Sequence, residues 1–537
     1  FKPECLPTGQ GTLNNPYRIC MPEQLQEIDN VPGKHFRLGK NIDLTNAASW
    51  FGGKGFQPIG RTLHFGFWGS LDGNGYEIQN LSINSPDQYT GLFGQANGAS
   101  WPGFWVNNLK LNNTRIQNPD IISGSLAGYG GCAIISGVES TGVAITGAKN
   151  ATGGLIGQAW YELKVLYSKV TGSVSTADSI KSAPEGGWSI GGMLWYAPGS
   201  PLEIAFSESN VNLYAKWGNI GGLVGLLYGG PTKYLEIHDN IIKGNIRVKT
   251  NSGAVGGVLG NANYVRAQNN IAQPAGSNKI FAEWSATVVG IGGFVGQASN
   301  SEFIHNKTNY SIQWNTWGAV GWFGGRLDTS LVSRNMVTGS IGGENSRGPG
   351  GYYIGGFFWF GIGGSFTDNY TTSDIYLNHD VAARYIGGFA GAAWANTIKR
   401  NYSTGTVTAN HINDYEVGGF VGDLNQFNGQ SYIFSDNYST GGYIDAVGVY
   451  SGYLDSFWWL IGFVAKKESD AMENNHFFNP TVQTCTGVAS PQKPDCTSVA
   501  NASVFYDITH AVYVRTGNAW DFTNTWKEVP GGLPELR

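Results

Sequence analysis

Charge is scarce in this chain. Lys, Arg, Asp and Glu make up 13% of its 537 residues, about half the usual ~25%. The net charge is only −5, and no block of five like charges occurs. Neither the basic footprint of a nucleic-acid binder nor that of a protein held to an anionic bilayer is present, so nucleic acid is not expected as a partner. Long apolar runs are missing as well. The longest candidate, Phe457 to Ala465, is about half the ~20 residues that a bilayer-spanning helix needs, so no membrane insertion is expected. The sequence contains no HExxH, no GxSxG, no phosphate-binding glycine loop and no His/Cys cluster at metal-ligand spacing, so no cofactor and no metal are expected. It opens at Phe1 without Met and without a basic-then-apolar leader, as a mature exported chain does, so a secreted or cell-surface location is expected.

Cysteine is sparse, five in all. Cys5 with Cys20 and Cys485 with Cys496 each bracket a short segment near one end, an arrangement that suits two local disulfides in an oxidising compartment. Cys132 is left over. It lies within Gly130-Gly131-Cys132-Ala133-Ile134 and reads as a buried small hydrophobe.

Glycine is abundant instead, with 80 residues, roughly twice the usual ~7% share. The glycines are periodic. An apolar-Gly-Gly-apolar-apolar-Gly pattern recurs as Ile220-Gly221-Gly222-Leu223-Val224-Gly225, Val255 to Gly260, Ile291 to Gly296, Ile386 to Gly391 and Val417 to Gly422, with shorter versions at Gly153, Ile190 and Ile354. Most intervals are 30 to 38 residues, the mark of a repeat architecture. A second element precedes each glycine motif: Asp239-Asn240, Asn269-Asn270, His305-Asn306, Arg334-Asn335, Asp368-Asn369, Arg400-Asn401 and Asp436-Asn437. Each unit therefore reads as an Asn-bearing turn, a short strand, a variable loop and a buried strand carrying the glycines. Stacked at the ~4.8 Å strand spacing, such units align Asn amides into a ladder. The expected fold is all-β, a parallel solenoid of roughly twelve rungs.

The glycine core and the Asn-Tyr-Ser-Thr-Gly lead-in at Asn401 and Asn437 resemble the GLUG repeats of bacterial secreted and surface proteins. The ends resemble that family too, from Asn15-Pro16-Tyr17 to Leu71-Asp72-Gly73-Asn74-Gly75 at the start, and from Asn474 to Leu536 at the close. The resemblance implies a right-handed parallel β-helix, and a role in adhesion or in surface repeat regions. Residues 1–50 then form an N-terminal cap, with a short helix opening at Pro22 that covers the first rung. Residues 51–473 form the repeats and 474–537 a C-terminal cap closing the last rung.

Catalytic candidates are thin. Asp239, Asp368 and Asp436 hold equivalent repeat positions where other coils have Asn269, His305, Arg334 and Arg400, so turn capping accounts for them. Asp72 reads as bonding its own Asp-Gly-Asn-Gly turn. Asp414 and Glu416 near His411, and Glu185, have no evident pairing. The sequons, such as Asn369-Tyr370-Thr371, coincide with the repeat consensus.

Aromatic residues reach 13% and follow the glycine strands as Trp160, Trp195, Tyr228, Phe358, Trp359, Phe360, Trp394 and Phe427, or precede them as Trp188, Trp217, Trp317, Tyr353, Tyr385 and Tyr415. Such stripes serve as stacked corner supports or as a face for sugar rings or a neighbouring protomer. Trp458 and Trp459, with Phe358 to Phe360, are too apolar to lie exposed together and are interface candidates. The expected function is a structural or adhesive β-helix that binds surface glycans or copies of itself, more binding module than enzyme. A polysaccharide lyase or glycoside hydrolase is the alternative.

Overall fold

The computed structural model describes residues 8–537 apart from 62–65, 85–86, 99–100, 118, 120–121, 150, 178–188, 199–200, 217, 250–252, 274–278, 284–287, 315–317, 343–352, 378–384, 395, 410–415, 429, 431, 442, 446–459, 462–463, 468–471, 474, 479–495 and 516–518. The described residues form an all-β parallel solenoid of about 10 turns. Their helices are short: α1 (Pro22–Gln26), α2 (Trp50–Gly53) and α3 (Ala511–Val514). The chain divides into two compact units, residues 1–249 with 258–266 (unit 1) and residues 250–257 with 267–537 (unit 2).

Each coil has four faces. In unit 2 a coil runs Ser365–Thr367 on face one, Tyr370–Thr371 and Asp374–Leu377 on face two, Tyr385–Gly387 on face three and Ala390–Trp394 on face four. Each strand pairs in parallel with its counterpart one coil on, as Ser365 with Thr397, Tyr370 with Tyr402, Ile386 with Val417 and Ala390 with Val421. Unit 1 follows the same plan, with Leu163 paired to Leu202, Lys169 to Glu208, Ile190 to Ile220 and Leu194 to Val224.

The glycine motif makes the turn between faces three and four. A Cβ on Gly355 would lie 1.8 Å from the Phe358 carbonyl oxygen, and one on Gly356 would lie 2.0 Å from the Gly388 oxygen of the next coil. The first glycine thus leaves room inside the turn and the second between coils. The next residue points inward. Phe294, Phe323, Phe357, Phe389 and Phe420 stack ring on ring at 4.8 to 4.9 Å, the strand spacing itself.

The Asn ladder forms between faces one and two. Asn335, Asn369, Asn401 and Asn437 are fully buried. The Oδ1 of each accepts from the backbone N–H and the side-chain Nδ2 of the Asn one coil before, at 2.9 to 3.1 Å for Asn369, Asn401 and Asn437. The ladder satisfies backbone groups that water cannot reach at a buried corner.

At the N-terminal end α1 begins at Pro22 as expected, and Gln24 Oε1 accepts from the backbone N–H of Cys20 and Met21. It buries Leu25, and the 3-10 turn after it buries Ile28. Among the described residues the C-terminal segment does more than add to the last rung. Asn475–Phe477 and Cys496–Ser498 extend face two by further parallel pairs. The described residues beyond 499 then lie along the side of unit 2, where Phe505, Tyr513, Trp520 and Trp526 pack on the column Tyr370, Tyr402 and Tyr438.

Cys132 is half-buried at a left-handed corner (φ 50°) rather than fully buried as expected. Cys5, Cys485 and the side chain of Cys496 lie outside the described residues, so both disulfides stand as proposals.

Candidate functional site

At the corner between faces one and two, one residue per coil adopts the left-handed conformation. In unit 1 these are Asn108, Gly137, Tyr167, Phe206 and Asp239, with φ from 50° to 62°. Asn, Asp and Gly adopt it readily, whereas a ring-bearing residue pays about 1–2 kcal/mol in sterics. Backbone bonds hold the column together: Asn108 N to Ser136 O at 3.1 Å, Gly137 N to Leu166 O at 3.0 Å and Tyr167 N to Ala205 O at 3.1 Å.

Burial does not offset the strain at the two aromatic corners. Tyr167 and Phe206 stack with ring centroids 5.0 Å apart and planes 8° from parallel, yet they are 63% and 48% exposed. His238 meets Phe206 edge-on at 5.4 Å. A polar chain flanks the rings: Lys164 Nζ lies 2.9 Å from Glu203 Oε2, His238 Nε2 lies 3.5 Å from Glu203 Oε1, and His238 Nδ1 lies 2.8 Å from Asp239 Oδ2. The hydrogen bond from Lys164 holds the Glu203 carboxyl below its ordinary pKa and raises that of the lysine. Beside the corner, face two presents Glu77, Lys110, Glu139, Lys169 and Glu208 in register. Signs alternate along this column, so the surface is polar without a field of one sign.

Unit 2 treats the same corner differently. Arg334, Asp368, Arg400 and Asp436 occupy the left-handed position, and Arg400 binds Asp368 through Nε and Nη2 at 2.8 and 2.7 Å. The C-terminal segment reaches this column: Trp526 Nε1 donates to Asp368 Oδ1 at 3.1 Å, and Tyr402 donates its hydroxyl to Pro534 O at 2.7 Å. Asp368 and Asp436 are buried, Arg400 is half-buried and Arg334 is exposed. Asp239, Asp368 and Asp436 are therefore corner residues, as their repeat position implied. Asp72 also keeps its turn role: Oδ1 accepts from Asn74 N at 2.9 Å, and Arg37 binds Oδ2 at 2.9 Å.

The aromatic candidates separate. Trp160 and Tyr228 are exposed, at 46% and 40%. Phe358 points into the coil and stacks on Phe366 at 4.2 Å. Trp359 and Phe360 are buried in an outer cluster with Tyr353 and Trp394, and Trp394 donates Nε1 to Asp423 at 2.9 Å. Of the two interface candidates, Phe358 to Phe360 are thus mostly removed from the surface. Trp188, Trp217, Trp317, Tyr415, Trp458, Trp459, Glu185, His411 and Asp414, and the side chains of Trp195 and Glu416, lie outside the described residues. Tyr167 and Phe206, which the glycine motif does not index, are the exposed stacked pair. Among the described residues no group of three or more His, Cys, Asp or Glu is placed to hold a metal ion, and no helix is long and apolar enough to cross a membrane.

No family model matches the chain. Over 181 residues it is 35% identical to Halomucin of Haloquadratum walsbyi, a stretch covering 32% of this chain and 2% of Halomucin. Over 89 residues it is 44% identical to a candidate Gly-rich membrane protein of Evansella cellulosilytica, covering 16% of this chain and 10% of that protein. The chain thus spans a small part of the length of either relative. A solved structure of a candidate immunoglobulin A1 protease from Bacteroides ovatus aligns with 98% of this chain and 94% of that chain, at 13% identity and a TM-score of 0.18. The fold assignment rests on the strand pairing above, not on that likeness.

Proposed function

We propose that this chain is a GLUG-type repeat region of a secreted or cell-surface protein that works by non-covalent adhesion, with unit 1 binding surface glycan. The observation that carries this reading is the stacked Tyr167–Phe206 pair, strained in its backbone and left in water among alternating charges. Exposed rings beside hydrogen-bonding groups suit the apolar faces and hydroxyls of sugars. Similarity to parts of Halomucin and of a membrane protein supports a location at or outside the cell surface. Exposed Trp160 and Tyr228 favour a second reading, self-assembly through lateral contacts.

Adsorption of the purified chain to immobilised neutral polysaccharides, run beside electron microscopy over a concentration series, tests both. Saturable adsorption with single particles at every concentration is expected. Filaments or sheets without adsorption would replace the glycan reading with self-assembly. Release of reducing ends from the polysaccharide would return the chain to the enzyme alternative.

A further inference from the structure

The N-terminal end of unit 1 holds an open cavity of about 400 Å³, within the ~300–1,000 Å³ range of small-molecule sites. The strand Tyr17–Ile19 opens face one and pairs in parallel with His35–Leu38. Residues of these two strands, of α1 and of the 3-10 turn Glu27–Asn30 line the cavity. Its buried lining residues, Ile19, Ile28 and Phe36, form an apolar floor. Tyr17 adds a half-buried ring whose centroid lies 5.8 Å from that of Phe36.

The polar lining is uncommitted. Arg18 and Glu27 are both exposed on the rim. Among the described residues they form no ion pair, with each other or with a third group. The register neighbour of Arg18 is a second cation, Arg37, which holds the Asp72 carboxylate at 2.9 Å. On the turn that carries Glu27, the other carboxylate is already used: Asp29 Oδ1 accepts from Gly60 N at 2.6 Å. Gln24 Oε1 accepts from the backbone N–H of Cys20 and Met21 at 2.8 and 3.2 Å. Those bonds fix the amide, and its Nε2 has no partner among the described residues.

We propose that this cavity binds a short zwitterionic peptide with apolar side chains: the carboxylate on Arg18, the ammonium on Glu27, one side chain on the Ile19, Ile28 and Phe36 floor, and the peptide carbonyl on Gln24 Nε2. A guanidinium takes a carboxylate through two parallel N–H bonds, and a carboxylate takes an ammonium, so one ligand carrying both charges satisfies both rim groups. A neutral sugar leaves the two charges without partners. An inorganic anion leaves Glu27 and the floor unused. The site is independent of the Tyr167–Phe206 corner and of the glycan reading.

Calorimetric titration of the full chain with leucyl-leucine at low ionic strength tests the site, with N-acetyl-leucyl-leucine, leucyl-leucinamide and cellobiose as comparisons. The expected Kd for leucyl-leucine is on the order of 0.1–1 mM. Acetylation or amidation weakens it by about fivefold, the upper end of what an exposed ion pair contributes. Arg18→Gln and Glu27→Gln replace exposed side chains and stay folded. Arg18→Gln no longer distinguishes leucyl-leucine from its amide, and Glu27→Gln no longer distinguishes it from the acetylated form. Wild-type discrimination retained in both variants overturns the assignment of charges to these two residues. Equal binding of all three peptides by the unaltered chain overturns the zwitterion. Cellobiose binding that exceeds leucyl-leucine binding and weakens in either variant overturns the peptide and gives the cavity to a sugar. Absence of binding by every probe overturns the site and leaves adhesion at the aromatic corner untouched.

Discussion

Asn369 is the position at which the ladder can be measured most directly. It is fully buried. Its Oδ1 accepts from Asn335 N at 2.9 Å and Asn335 Nδ2 at 3.1 Å, and its Nδ2 donates to Val332 O at 2.9 Å and Asn401 Oδ1 at 3.0 Å. Asn369→Ala takes the acceptor from a buried backbone N–H and the donor from a buried carbonyl. Asn335 Nδ2 keeps Phe303 O and Ser333 O, so its loss is minor. Each orphaned buried group costs about 1–3 kcal/mol, and the vacated amide volume adds to this, giving about 3–5 kcal/mol in all. The assay is urea unfolding followed by the shift in midpoint multiplied by m, with hydrogen exchange at the Asn335 amide as the local readout. Exposed Asn524→Ala serves as the control and stays within about 0.5 kcal/mol. A loss below about 1 kcal/mol, with Asn335 protection unchanged, would refute the argument, because the corner would then be satisfying its backbone without the side chain.

The other predictions touch separate parts of the chain. His476, which burial and then the neighbouring His510 push down to about 4, and His510, lowered mainly by burial, sit close together with rings 4.7 Å apart. Both fold as the neutral form, so their contribution is complete above the ordinary histidine value and is lost as pH falls toward 4. The His476 shift corresponds to about 3 kcal/mol, and urea midpoints at pH 7.5 and 4.5 converge in His476→Gln relative to wild type. Gly355→Ala places a methyl 1.8 Å from a carbonyl oxygen and abolishes soluble folded protein, whereas Gly363→Asn, which needs only a positive φ of 66° and meets nothing nearer than 3.5 Å, stays within about 1 kcal/mol. Thiol titration in denaturant yields one reactive cysteine without reductant and five with it if both terminal pairs are bridged; five in both conditions removes the disulfides.

How far the sequence could be read depended on which residues are forced by the backbone. Gly355 and Gly356 have no room for a Cβ, and Asn369 and Asn401 serve buried backbone groups, so both motifs repeat at the coil length and disclose a parallel solenoid. Tyr167 and Phe206 escaped that reading for a physical reason. In their coils the ladder position is Ser168 and Ser207, whose hydroxyls stand in for the Asn amide: Ser168 N donates to Ser207 Oγ at 3.1 Å, and Ser207 N to Asn240 Oδ1 at 3.0 Å. Without the Asn to mark the corner, Tyr-Ser and Phe-Ser do not look like Asp-Asn, although register places them in the same column. The signal was present as an aromatic residue one place before a small polar one, at the coil interval. The flank of unit 2 was illegible for the opposite reason. Trp520 and Trp526 lie outside the repeats, and their contacts with Tyr402 and Asp368 join positions more than 100 residues apart that no period connects. The two units therefore share one corner geometry and use it differently: where the C-terminal segment supplies rings, the column beneath is charged and its aspartates are buried, and where the column itself supplies rings, they face solvent. A left-handed tyrosine that stays 63% exposed costs stability at its own site that burial does not return, so Tyr167→Asn is expected to hold or raise the thermal midpoint, and a fall of several degrees would refute the strain argument.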